Sequence, residues 1–287
     1  MRNFKIIKTK NHFKVKDIYY HLLILILLLI VVTAFLAPVL FPINLADTNL
    51  LNRLALPHFI NRESKHLIGT DQLGRDVFIR LIYAVKSTIQ ISFVGMSIAL
   101  CIGTILGLIS GYYGGLLDTI ITFINNAMLS IPTTFIGIIA SVILGANAST
   151  IIWVIAFSGW SGFCRLVRGL VMQLKNAPFI EAGEMIGIGK IRLVFRHILP
   201  NIASPLIVLA TSSLSSFILL ESTLSFLGLG IQPPNTSLGV MISEGRDFLM
   251  THWWLAIIPS LFMIIIILCI SLLGDWLRDK LDPKINR

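Results

Sequence analysis

Apolar residues gather into six runs along the chain, at 19–41, 87–110, 119–145, 149–170, 203–230 and 253–274. A bilayer core takes about 20 helical residues to cross, and every run is long enough. Lipid offers no partner to a free backbone N–H or C=O, so each run is predicted to be a helix. Polar intervals divide the rest. Residues 1–18 form a basic segment, 42–86 an interval with a predicted short amphipathic helix near 74–86, and 276–287 a tail. Five of the runs make a core over 87–275. Two of its connections, 171–202 and 229–252, are too long to be plain turns, and long ordered loops tend to carry function.

Composition supports a membrane protein. Hydrophobic residues make up 55% of the 287 and charged residues only 13%, where soluble domains carry about 25%. The mean hydropathy is +0.86. The net charge of +9 is explained by membrane topology without invoking nucleic acid. With residues 1–18 in the cytoplasm, sixteen of the 23 Lys and Arg fall inside and seven outside. That bias predicts both termini in the cytoplasm and an even number of crossings. Six of the outside bases lie in 43–86, offset by Asp47, Glu63, Asp71 and Asp76, so this interval is expected to be a folded external element. A cleaved signal peptide is the rival reading of the first run. The run is too long for one and lacks a convincing small-residue cleavage site, so it is read as an uncleaved helix. Cys101, Cys164 and Cys269 are odd in number, form no C-x-x-C pair and are read as small apolar fillers. The histidines make no ligand pair at helical spacing, so no metal site is expected.

The stretch "EAGEMIGIGK", 181–190, looks like a phosphate-gripping loop. Such a loop needs G-x-x-x-x-G-K-[ST] after a strand. Position 184 is Glu where Gly is required, position 191 is Ile where a hydroxyl is required, and no buried strand precedes it. The chain is therefore expected to hold no nucleotide and no other cofactor. In the wider stretch, Pro178 sets up a helix start and Glu181 and Glu184 suit its first turns. Gly187 and Gly189 are expected to end that helix in conformations other residues reach poorly. A second short helix, 190–198, is predicted to stop at Pro200. The result is a compact knob without a catalytic set, suited to docking.

Glu-Ala, a Gly six residues after the Glu, and Leu-Pro a dozen residues on resemble the cytoplasmic loop of ABC importer permeases. The matching positions are Glu181, Ala182, Gly187, Leu199 and Pro200. "LIGTDQLGRDVFIRLIY" (67–83), "GLISGYYGGLLD" (107–118), "LSFLGLGIQPP" (224–234), "HWWLAIIPS" (252–260) and "LLGDWLRDKLDP" (272–283) are similar to the dipeptide, oligopeptide and nickel importer permeases, in particular the second of their two permease types. The resemblance covers roughly 20–285. It implies an all-α, six-helix fold of the type I ABC importer permease, with cytoplasmic termini, in the cell membrane. It implies no catalysis by this chain. The expected partners are a second homologous permease, two ATPase subunits that bind the ATP, an external solute-binding protein and membrane lipid. Movement by alternating access would follow from ATPase docking at the five positions above. Peptides are the expected solute, with nickel or another metal complex as the alternative. The sequence departs from the family at Gly183, commonly Ala, expected to loosen the helix by about 1 kcal/mol. It departs also at Phe123 and Asn126, where Arg and Asp are frequent.

A few residues stand out singly. Glu221 lies within an apolar run, where a carboxylate by default suggests function. It is a candidate for the translocation path or a subunit contact, or else a carboxylate hydrogen-bonded near Ser216, Ser222, Thr223 or Ser225. Asp71, Arg75 and Asp76 are candidates for an external rim, or for helix capping and ion pairing. Trp253 and Trp254 are expected to anchor at the membrane interface. Gly103 and Gly107 predict close packing on an unidentified helix. Pro132 and Pro205 are expected to bend or begin helices, and His197 to pack or hydrogen-bond in the knob. The rival class is a self-sufficient transporter or channel, which would need several intramembrane charges or an oligomeric pore. A membrane enzyme is disfavoured because no nucleophile–base pair occurs in the runs.

Overall fold

A computed structural model of the protein describes residues 10–40, 45, 47–62 and 64–281. The start of the basic segment (Arg2, Lys5, Lys8), Glu63 and the tail from 282 (Lys284, Arg287) lie outside the described residues. The regular elements among the described residues are helices: α1 Lys10–Leu40, α2 Val77–Tyr113, α3 Gly115–Leu129, α4 Thr133–Leu144 and α5 Ala148–Lys175, then α6 Pro178–Met185, α7 Lys190–Leu193, α8 Leu199–Phe226, α9 Leu238–Arg246 and α10 Trp254–Leu281. Four spans, α2, α5, α7–α8 and α10, are long and apolar enough to cross a membrane. The bent pair α3–α4, counted as one, is also long and apolar enough. The first helix contributes a shorter described apolar stretch, Tyr20–Leu36, and leans on α2 and α10.

The centre of the bundle is the long seam between α2 and α5. Gly95, Gly103, Gly107 and Gly111 on α2 meet Ile155, Phe163, Val167 and Val171 on α5. The partners keep a constant separation of 60 in sequence, so the two helices run parallel and in register. A Cβ at 103 would come within 2.5 Å of the Trp160 carbonyl oxygen, and one at 107 within 2.8 Å of that of Cys164. Only glycine allows the backbones this close, and contact of that kind holds helices together where lipid removes the hydrophobic drive. The helix that approaches Gly103 and Gly107 is thus α5.

Parallel packing has a topological consequence. The chain leaves α2 at one end of the bundle and must enter α5 at the other, so α3–α4 carries it back across. The crossing is bent by 85°. Pro132 caps α4, gives no N–H and disfavours helix in the residue before it. The run 119–145 is therefore two helices rather than one.

Two further boundaries differ from expectation. The predicted amphipathic helix near 74–86 is the first part of α2. Asp76 caps it by accepting from the N–H of Phe78 and Ile79, and no breaker follows. The predicted helix 190–198 does not stop at Pro200. Residues 190–226 form one continuous span, with a π-helical turn at Val194–Ile198. The Leu199 N–H reaches the Val194 carbonyl, and this widened turn accommodates a proline that has no N–H to give residue 196. Of the two tryptophans, Trp253 is half-exposed, whereas Trp254 is buried in the core between α1, α2, α9 and α10. Trp254 packs inside because the helix rotates it away from the interface.

Candidate functional site

At the end of the bundle that bears α6, the chain builds an exposed knob. Pro178 opens α6 and Glu181 lies in its first turn, where a carboxylate suits the helix dipole. The helix closes in a Schellman turn: the Gly187 N–H donates to Glu184 O (3.0 Å) and the Ile188 N–H to Gly183 O (3.0 Å). Gly187 has φ +79°, a conformation costly to a side chain. Gly189 has φ −58° and needs no glycine, contrary to expectation. Gly183 is buried against Leu193, whose Cδ2 would lie 2.7 Å from a Cβ there. It is a packing position, so an alanine would crowd Leu193 instead of firming the helix.

The inner face of α6 is closed by Ile180, in a cluster with Val171, Leu193, Ile198 and Ile202. Its outer face carries exposed Glu181 and Ala182, with Phe179 beside Met185 (86% exposed) and Ile186 (78%). Ile191 and Phe195 extend this surface, and Lys190, Arg192 and Arg196 flank it. Leu199 is half-buried and Pro200 exposed at the start of α8. An exposed apolar surface rimmed by charges marks an interaction site.

Polar ties unforeseen from the sequence join this knob to the bundle. The Tyr112 hydroxyl donates to Glu184 Oε1 (2.8 Å), and Lys175 Nζ donates to the Tyr112 carbonyl (2.7 Å). Arg168 on α5 grips Asp118 on α3 with two bonds, 2.6 and 2.8 Å. Ser110 of α2 also donates to Asp118. Phe123 and Asn126 are both exposed on α3, so the helix carries no charge there, but Asp118 supplies one turn-and-a-half earlier.

At the opposite end, two buried polar clusters clamp α9. Arg80 of α2 reaches Asp71 (2.6 Å) and Glu244 of α9 (2.7 Å), and Arg75 reaches Asp71 (2.7 Å). Arg80 also donates to Thr236, just before α9. Two arginines and two carboxylates balance in charge, which a buried ionic group requires. Asp71 and Arg75 are buried, so their side chains form an internal clamp and not an exposed rim. Asp76 caps α2 and bonds His66 (2.8 Å).

The second cluster surrounds Glu221, which is completely enclosed. Ser225 (2.7 Å) and Ser222 (3.2 Å) donate to it from α8, and Thr88 of α2 and Ser237 at the cap of α9 also hydrogen-bond it. Its oxygens are met by hydroxyls of its own chain, the hydrogen-bonded alternative of the two sequence readings. The sequence showed the two serines on its own helix. Thr88 and Ser237 are distant in sequence and gave no signal.

Residues 103–287 match the family described as the binding-protein-dependent transport system inner membrane component. The chain belongs to that family. The permease is 38% identical over 255 residues to the dipeptide transport system permease protein DppC of Haemophilus influenzae, covering 88% of this chain and 86% of that one. It is 35% identical to the oligopeptide transport system permease protein OppC of the same organism, covering 96% and 87%. Its fold is similar to a chain of the MetNI methionine ABC transporter in an inward-facing conformation, with TM-score 0.58 at 18% identity, over 72% of the permease and 98% of that chain. The permease is a multi-pass protein of the cell membrane.

Proposed function

We propose that the protein is one permease subunit of an ATP-driven, binding-protein-dependent importer of dipeptides or oligopeptides. The relatives' names favour peptides over the nickel alternative. A second permease completes the pathway, and an external binding protein delivers the solute. ATP is bound and hydrolysed by two separate subunits, one of which docks on α6 with Glu181, Ala182 and Gly187, the loop then continuing to Leu199 and Pro200. The charge bias puts this end of the bundle in the cytoplasm. Docking alone moves nothing: the ATP-bound, closed form must favour one permease state over the other.

The observation that carries this reading is the exposure of Phe179, Met185 and Ile186 on α6 and its cap, at the end of the bundle. The test is purification of the tagged chain from its native membrane in gentle detergent, with mass spectrometry of what accompanies it. The wild type should bring a second permease and an ATP-binding subunit. The double variant Met185→Asp/Ile186→Asp should keep the second permease but recover about half as much ATP-binding subunit per permease pair, because only the copy docked on this chain's α6 is lost. Recovery of the wild type alone, or as a homo-oligomer, refutes the reading and revives a self-sufficient transporter.

A further inference from the structure

A docked subunit drives transport only if the motion of α6 reaches the membrane helices. Apolar contacts such as Ile180 against Val171 and Leu193 hold α6 down, but they are non-directional and allow sliding. Among the described residues, a single side-chain hydrogen bond joins α6 to a membrane helix, from the Tyr112 hydroxyl to Glu184. Tyr112 is 3% exposed, so its ring cannot swing away from that contact. It occupies the last turn of α2. Lys175, the last residue of α5, both donates to its carbonyl and lies 5.7 Å over its ring. One tyrosine therefore touches α6 through Glu184 and α5 through Lys175.

Beyond this point the path is rigid. The glycine seam packs α2 and α5 backbone to backbone through Gly95, Gly103, Gly107 and Gly111, so the pair moves as one body. The 37 residues of α2 span about 55 Å. Near the far end of α2, Arg80 holds α9 through Glu244 and Thr236, and Thr88 accepts from the Leu238 N–H at the start of α9 (3.1 Å).

We propose that Tyr112 and Glu184 form the strut through which α6 drives the α2–α5 pair, and with it α9 at the opposite end, with Lys175 as its brace. These are positioning residues: they touch neither ATP nor solute. The proposal rests on the reading that an ATP-binding subunit docks on α6.

The test uses the assembled complex in liposomes with its binding protein, a radiolabelled dipeptide and ATP, and reads dipeptide carried per ATP hydrolysed. Tyr112→Phe keeps the ring under Lys175 and removes only the hydroxyl. Glu184→Ala removes the acceptor, whereas Glu184→Gln keeps a carbonyl oxygen that accepts. Tyr112→Phe and Glu184→Ala should each lower the ratio about fivefold, the factor given by a hydrogen bond worth about 1 kcal/mol, while ATP hydrolysis continues. The double variant should be no worse than either single one, and Glu184→Gln should work like the wild type. An unchanged ratio in Tyr112→Phe overturns the strut and leaves docking on α6 intact. A ratio as low in Glu184→Gln as in Glu184→Ala overturns it too, because the charge and not the bond would then matter. A wild-type chain that assembles with no ATP-binding subunit removes the docking reading itself, and the strut with it.

Discussion

The parallel α2–α5 seam makes its sharpest prediction at Gly103. An alanine there would place Cβ 2.5 Å from the Trp160 carbonyl oxygen, 2.6 Å from Phe163 Cβ and 3.0 Å from the Cys164 nitrogen. Unbonded heavy atoms rest at about 3.5–4.0 Å, so α5 must retreat by about 1 Å. Two of the three obstructing atoms are backbone, and no rotamer change moves them. Retreat also loosens the contacts at Gly95, Gly107 and Gly111, which share the seam. Overpacking of this kind costs about 1–3 kcal/mol. Alanine also gains about 1 kcal/mol over glycine in any helix, and a matched control removes that gain. Gly162 on α5 has nothing within 4 Å of its Cβ position, so Gly162→Ala receives the propensity gain without the clash. The difference between the two variants is the overpacking alone. It corresponds to a melting temperature about 2–5 °C lower for Gly103→Ala than for Gly162→Ala. The measurement is thermal unfolding of the purified single chain in detergent. Equal melting temperatures would show that the helices do not meet in this register.

Three other perturbations test the clamps and the knob. Arg80→Met leaves Arg75 alone to balance Asp71 and Glu244 and should cost about 2–3 kcal/mol; limited proteolysis should then cut within 229–252, and an uncut loop would contradict the clamp. Glu221→Ala strands the Thr88, Ser222, Ser225 and Ser237 hydroxyls and should destabilise the chain by about 1–3 kcal/mol, with Glu221→Gln milder. A Glu221→Ala chain of normal stability that carried no solute would instead place this carboxylate in the pathway. Gly187→Ala forces a side chain into a left-handed turn at about 1 kcal/mol, and Gly187→Asn should cost less; hydrogen exchange at the α6 amides should quicken in the first and change little in the second.

Much was legible along the chain because hydropathy and turn chemistry are local. The helical class, the core helices, the end of α6 at Gly187 and the role of Pro132 as a breaker follow from residues and their near neighbours. So does the short exposed helix α6, whose start at Pro178 and end at Gly187 lie within ten residues. Boundaries were less legible where no local signal opposed continuation. Nothing between Val77 and Gly95 told the outer part of α2 apart from its membrane part, and a widened turn carried the chain through Pro200.

The partners of the polar residues were decided by the tertiary structure alone. Asp71 and Arg75 are spaced like surface ion pairs, yet Arg80 and Glu244 draw them inside. Glu221 carries the composition of a path-lining acid, yet helices α2 and α9 bring Thr88 and Ser237 to it. Trp253 and Trp254 are neighbours of one type, yet one is half-exposed and the other buried. By itself the sequence determined that the chain crosses a membrane as helices and where α6 begins and ends, since a residue's hydropathy and backbone preference are its own. Which buried charges meet, which helix enters the glycine groove and which tryptophan is covered depend on distances between residues far apart in sequence, and those exist only once the helices pack.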